Sequence, residues 1–203
     1  MIESILAALL IVSASPDTTT IMRSDSSLRH AYRVEATIGG LIQATRYPDK
    51  PTQLSNSNVF PGTTFFGRLM WHPDHLLSVG VYSGFVTFSR EKVTAPDENG
   101  VRQDITLDLT GIPAQVVFAM QPGNFQFGLG LGVYFLTSHT TVNNAERFSS
   151  SDYEYGVSSW LAYDFRLHDA ITLGPEIGLH VLSNMGVTCA MVGVRFKVDM
   201  LTY

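Results

Sequence analysis

A strict two-residue alternation, sustained over segments longer than ten residues, is the feature that most constrains this chain. From Phe125 to Leu136 one face carries Phe125, Phe127, Leu129, Leu131, Val133 and Phe135, and the other carries Gln126, Gly128, Gly130, Gly132, Tyr134 and Leu136. Tyr153, Tyr155, Val157, Ser159, Leu161, Tyr163 and Phe165 share a face in the same way, as do Ala190, Val192, Val194, Phe196, Val198 and Met200. A period of two means strands, because successive side chains point to opposite faces of a pleated backbone. Eight such segments are predicted, at about 30–43, 64–71, 76–90, 103–119, 125–138, 153–166, 171–183 and 187–200. The connections alternate. Residues 44–63, 91–102 and 139–152 are long, while 72–75, 120–124 and 167–170 are tight turns marked by Pro73 and by Pro122, Gly123 and Asn124. The final turn, near Asn184 and Gly186, is also short.

Two departures from the pattern carry expectations of their own. The apolar parity is odd at Ile105, Leu107 and Leu109 and even at Ile112, Ala114, Val116 and Phe118, so a β-bulge is expected near Gly111. Pro175 lacks the N–H that a ladder needs, so a bulge or a missing bond is expected there.

Alternation does not say what buries the apolar face. A soluble β-sandwich would turn it toward a protein core, and a membrane barrel would turn it toward lipid. Four features favour lipid. Soluble strands average ~5–6 residues and membrane strands need ~9–11. The apolar faces carry no charge, as expected where a midplane Lys or Arg costs ~2–4 kcal/mol. The alternate faces are rich in Gly, Ser and isolated charges, and the whole chain has only three lysines, Lys50, Lys92 and Lys197. Tyr32, Phe65, Trp71, Phe125, Tyr153 and Phe165 sit near strand ends, where an interfacial girdle belongs.

The remaining sequence agrees with export. The run Ile5–Val12 is far shorter than the ~20 residues of a spanning helix and suits the core of a signal peptide, with Val12 and Ala14 at −3 and −1 of a cut after Ala14. Its n-region has Glu3 and no Lys or Arg. The expected organisation is a signal peptide at 1–14, a polar segment at 15–29 and one barrel domain at 30–203. One cysteine, Cys189, excludes an internal disulfide, and a net charge of −5 gives no footprint for nucleic acid.

On this pattern, residues 30–203 resemble the small outer-membrane β-barrels of Gram-negative bacteria, the eight-stranded OmpA/OmpX type. The resemblance implies an all-β, eight-stranded antiparallel up-and-down transmembrane β-barrel in the outer membrane. Its partners would be outer-membrane lipid and lipopolysaccharide, the barrel-insertion machinery during biogenesis, and an extracellular or envelope protein. It implies no cofactor. Short turns and both chain ends would face the periplasm, and long loops would face outward. Members of the group end in an aromatic residue that the insertion machinery recognises, a part Tyr203 would take. Tyr203 has the parity of Arg195 and Lys197, so the strand ends earlier or a bulge intervenes.

Inside such a barrel Arg33, Glu35, Arg68, Gln115, Glu154, Asp164, Arg166, Glu176, His180, Arg195 and Lys197 point inward. Both signs are present, so a salt-bridge network that plugs the barrel is expected, with Glu176 diagonal to Arg195 and Asp164 beyond Gly174. The same residues could instead line a narrow gated ion path. A third reading is enzymatic. The stretch from Gly178 to Asn184 is loosely similar to the His-x-Ser-Asn motif of outer-membrane lipid A deacylases, which would make His180 and Ser183 the catalytic pair. A spacing of three puts them on opposite faces of a regular strand, so no catalytic residue is assigned. His72, Asp74 and His75 form a weak metal pattern with no second cluster to complete it, and no metal site is assigned. Gly128, Gly130 and Gly132 lie mid-strand with no helix after them and are not a phosphate loop. The leading expectation is a non-enzymatic barrel with a structural or surface-interaction role through its outer loops.

Overall fold

The structure is a computed structural model that describes residues 32–47, 59–73, 77–96, 102–142 and 146–202. The expected signal peptide and the polar segment after it lie outside the described residues, as do Asp74, His75 and Tyr203. Among the described residues nine strands are formed: β1 (Arg33–Arg46), β2 (Val59–His72), β3 (Leu77–Pro96), β4 (Arg102–Met120), β5 (Phe125–Val142), β6 (Glu146–Tyr163), β7 (Phe165–His168), β8 (Ile171–Leu182) and β9 (Thr188–Thr202). All pair antiparallel. Neighbours in sequence are neighbours in space from β1 to β6, β9 joins β1 to β8, and β6 pairs with β8. The result is a closed ring of eight strands, with β7 continuing the line of β6 against β8.

The ninth strand arises from an interruption. Asp164 leaves the ladder and its N–H bonds to the Asn124 carbonyl at 2.8 Å. The β6–β8 ladder ends at Ala162↔Glu176 and resumes as Phe165↔Leu173. Pro175 falls in this gap. Toward β9 it keeps a regular partner, Val194, with no bulge, so the missing-bond expectation holds and the bulge does not. A Cβ on Gly174 would run into the Tyr163 carbonyl, which is why the crossing of the gap needs glycine.

The expected bulge at Gly111 is displaced to the neighbouring strand. The β4–β5 register is unbroken, while β3 shifts against β4 between Thr87 and Ser89, making Phe88 the extra residue. Ile105, Leu107 and Leu109 therefore keep the inward parity of Gly111, and Leu109 packs on the interior cluster. Their apolar character is therefore not a change of face: all three are half-buried and share the parity of Gly111. A second bulge, between Val34 and Glu35 of β1, makes Met200 the extra residue of β9 and turns Leu201 outward.

The long connections are also shorter than expected. β3 runs to Pro96 and β4 starts at Arg102, while β5 runs to Val142 and β6 starts at Glu146. These extensions are rich in Ser, Thr and charge on both faces, so they pair as strands without the one-sided apolar signal that alternation detects. Gly123, with φ 64°, closes the β4–β5 turn, where the Phe125 N–H reaches the Pro122 carbonyl at 3.3 Å.

The orientation of the faces is decided by exposure. Phe127, Leu131 and Val194 point out of the ring, with Val194 59% exposed, whereas Glu176 and Arg195 are each 1% exposed inside it. Tyr32, Phe65, Trp71, Phe125, Tyr153 and Phe165 also face outward, and Tyr32 stacks on Trp71 at 6.2 Å. An apolar belt of this size around a closed sheet fits hydrocarbon, where every backbone group must find its partner within the protein. Placing an arginine at Leu131 is therefore expected to cost ~2–4 kcal/mol in equilibrium unfolding from lipid vesicles, whereas arginine at the exposed Ser150 stays within ~0.5 kcal/mol.

Candidate functional site

The interior divides along the barrel axis. The half near the short turns holds charge, and the half near the long connections is mainly apolar. In the charged half Arg33, Arg68, Arg195 and Lys197 stand against Glu35, Asp164, Glu176 and Asp199. Strand alternation places these residues: the inward positions of β1, β2, β8 and β9 converge on one axis, and Asp164 enters from the break between β6 and β7.

Arg195 is the hub. It donates to Asp164 at 2.5 Å and to Gln126, and lies 3.8 Å from Glu176. Glu176 is held in turn by Arg68. Lys197 reaches Asp164 at 2.6 Å and Glu35 at 3.5 Å. Glu35 also takes bonds from His72 at 3.0 Å, Arg33 at 3.3 Å and Gln126 at 3.3 Å. Gln121 joins Arg33 at 3.2 Å to Asp164 at 3.1 Å. Among the described residues the network is balanced, four cations to four carboxylates. Balance matters because a lone buried charge is far more costly than a paired and bonded one.

Arg68 is also clamped by aromatics. Its guanidinium lies 4.3 Å from the Phe66 ring centre and 4.1 Å from that of Trp160. A desolvated cation between two ring faces gains about 2 kcal/mol or more. Glycines make the room: a Cβ at Gly39 would strike the Phe66 ring and one at Gly128 the Trp160 ring. Above this clamp the Tyr82 hydroxyl meets His180 Nε2 at 3.4 Å, Gln115 donates to the Tyr134 hydroxyl at 3.0 Å, and Ser158 donates to Gln115 at 2.7 Å.

Toward the long connections Phe60, Val86, Phe88, Leu136, Leu182, Val187 and Cys189 close the interior. Among them, Gln43 and Thr64 satisfy one another and the Thr87 carbonyl. Glu154 lies at this end, outside the ionic cluster, and its carboxylate accepts the Met185 N–H at 3.1 Å.

Arg33, Glu35, Arg68, Glu154, Asp164, Glu176, His180, Arg195 and Lys197 thus lie within the ring, Arg33 at its mouth. Arg166 does not. All four residues of β7 are exposed, because the chain has passed the break at Asp164 and left the closed part of the barrel. The network also takes in His72, Gln121, Gln126 and Asp199, of which Gln126 already stands on the inward face in the alternation. His72 and Asp199 share the inward parity of Arg68 and Lys197 and could have been read from it, whereas Gln121 lies beyond the end of β4 and enters only through the fold. His72 turns inward and its Nε2 bonds to Glu35. His180 and Ser183 are not brought together: His180 is buried between Tyr82 and Tyr134, and Ser183 sits exposed in the β8–β9 turn with its hydroxyl on the Tyr155 carbonyl. A hollow of about 650 Å³ is bordered by the outward-facing Ile38, Leu69, Val81, Val116 and Leu131 and by the inward-facing Thr37, Arg68, Tyr82 and Gln115.

Arg68→Ala is expected to destabilise the barrel by ~3–5 kcal/mol, because it leaves Glu176 without its closest partner. Adding Glu176→Gln should recover part of that loss, and a double-mutant cycle in vesicle unfolding measures the coupling.

No protein-family model and no curated protein matches the chain. Among solved structures, Neisserial surface protein A superposes with a TM-score of 0.50 at 9% identity, over 82% of this chain and 97% of that one. Also similar are Ail, the attachment invasion locus protein of Yersinia pestis (0.49, 11%, 83% and 99%), and the outer membrane protein OprG of Pseudomonas aeruginosa (0.45, 15%, 84% and 98%). The ring of eight antiparallel strands, its outward apolar face and the superposition on Neisserial surface protein A together give this chain the fold of the small eight-stranded outer-membrane β-barrels.

Proposed function

We propose that the chain is a non-enzymatic outer-membrane protein of a Gram-negative bacterium, with a sealed interior that serves as scaffold and an outward end that makes its contacts. The carrying observation is the filled interior. A balanced ionic cluster occupies one half and Phe60, Phe88, Leu136, Leu182 and Val187 occupy the other, so side chains take the space that a solute would need. Such a barrel displays what lies above it. Its partners on this reading are lipopolysaccharide and outer-membrane lipid around the belt, the barrel-insertion machinery during assembly, and a protein partner met at the outer surface. The separation of His180 from Ser183 supports the absence of hydrolase chemistry at that pair.

A narrow ion path is the second reading. It draws on buried polar atoms that lack a hydrogen-bond partner within the charged half, at Arg68 Nε and Nη1 and Arg195 Nε. The apolar half of the interior stands in its way.

Purified protein in planar bilayers should show no unitary current steps. Steps that change when Arg195→Gln is introduced would replace the plug by the path. Incubation with lipopolysaccharide should release no fatty acid. Release that is lost in His180→Ala would restore the enzymatic reading.

A further inference from the structure

The outer end of the lumen is closed in part by a turn that a single carboxyl group helps to hold. β8 and β9 are joined through residues 183–187, where Gly186, with φ 61°, lets the chain reverse and the Leu182 N–H donates to the Val187 carbonyl at 2.9 Å. Leu182 and Val187 are fully buried and belong to the apolar interior cluster. The turn is fastened sideways to β6. The Ser183 N–H and hydroxyl both donate to the Tyr155 carbonyl, at 3.0 and 3.1 Å, and the Met185 N–H donates to Glu154 Oε1 at 3.1 Å. The bonds to Tyr155 do not titrate, so Glu154 is the fastening that a proton can alter.

Glu154 lies at the rim. The β6–β8 ladder ends at Gly156↔Leu182. Hydrocarbon demands a closed ladder, so Glu154, two residues further out, stands beyond it. The residue is 4% exposed, and its Oε2 has no hydrogen-bond partner. Around it are Asp152 on its own strand, Tyr134 opposite on β5, and the backbone of Asn184 and Met185 in the turn. Among the described residues no arginine, lysine or histidine pairs with it. Burial pushes the Glu154 carboxyl above the usual carboxylate range and Asp152 adds to the push, against the bonds from Met185 and Asn184. A glutamate released into water with the turn returns to the ordinary range. The closed turn therefore binds the proton more tightly than the open one, and the proton in return favours the closed turn. That support is complete below the ordinary value and is lost as pH rises through the raised one.

We propose that Glu154 is a proton-operated latch: its protonated form holds the β8–β9 turn over the outer mouth, and ionisation loosens it. This rests on the reading of the barrel as sealed and adds a control on the outer seal. The mouth tightens in acid. Loosening frees the turn that carries Val187, so the change falls on the apolar half of the filling and leaves the ionic cluster in place.

The test is nuclear magnetic resonance on the full-length protein in lipid nanodiscs. The Met185 amide shift is expected to titrate with a midpoint above the usual carboxylate range, and its exchange protection to fall over the same interval. Each pH unit by which the midpoint exceeds the ordinary value corresponds to about a tenfold loss of protection. Asp152→Asn should lower the midpoint and shrink the loss. Glu154→Gln keeps a neutral acceptor for the Met185 N–H, so it should abolish the titration and leave Met185 protected at every pH. A flat Met185 shift in the native protein overturns the proposal. Protection that rises with pH also overturns it, because the ionised carboxylate is then the better fastening. A titration that survives Glu154→Gln, or is unmoved by Asp152→Asn at its exposed position, assigns the change to another group and has the same force. The second variant keeps the test decisive if the first fails to fold. A flat titration without current in planar bilayers sinks the latch alone, whereas pH-independent current through a normally titrating protein sinks the sealed reading instead.

Discussion

The ladder between Gly156–Ala162 of β6 and Glu176–Leu182 of β8 is the constraint on which the structure depends. Hydrocarbon supplies no hydrogen bonds, so a sheet in lipid either closes or leaves two rows of backbone groups unsatisfied. Closure fixes much else. It sets which residues share the axis, commits one face of every strand to lipid, and limits the lumen to what side chains can fill. At eight strands there is no spare volume, and the interior becomes a packing problem with charges in it.

That problem is solved by segregation. Carboxylates and cations meet in the half near the short turns, where Arg195, Lys197 and Arg68 distribute their donors over Asp164, Glu35 and Glu176. Aromatic and aliphatic side chains fill the other half. The aromatic clamp on Arg68 lies between the two regimes. Glycines at 39 and 128 are part of the same solution, since each gives up its own side chain to a ring on the neighbouring strand.

Much of this was legible in the alternation. Period two gave the strands, their charge-free faces gave the outward belt, and parity alone placed Glu35, Arg68, Glu176, Arg195 and Lys197 inside. Three things escaped for identifiable reasons. The upper strands carry polar residues on both faces, so pairing there leaves no periodic trace. Ile105, Leu107 and Leu109 look like a change of face because they are apolar at inward-parity positions, whereas Leu109 packs on an interior cluster that is itself apolar. Arg166 has inward parity but follows the break at Asp164, and a break is a property of the neighbours (Asn124, Gly174 and Pro175), not of the strand itself.

The break at Asp164 has a mechanical corollary. It falls on the side of the wall where β6 hands over to β7, so the cylinder is least continuous there. The carboxylate released by the break is the one that Arg195 and Lys197 of β9 grip from two strands away. Charge thus works as a hasp across the join: the plug that fills the lumen also fastens the wall, and loosening either one loosens both.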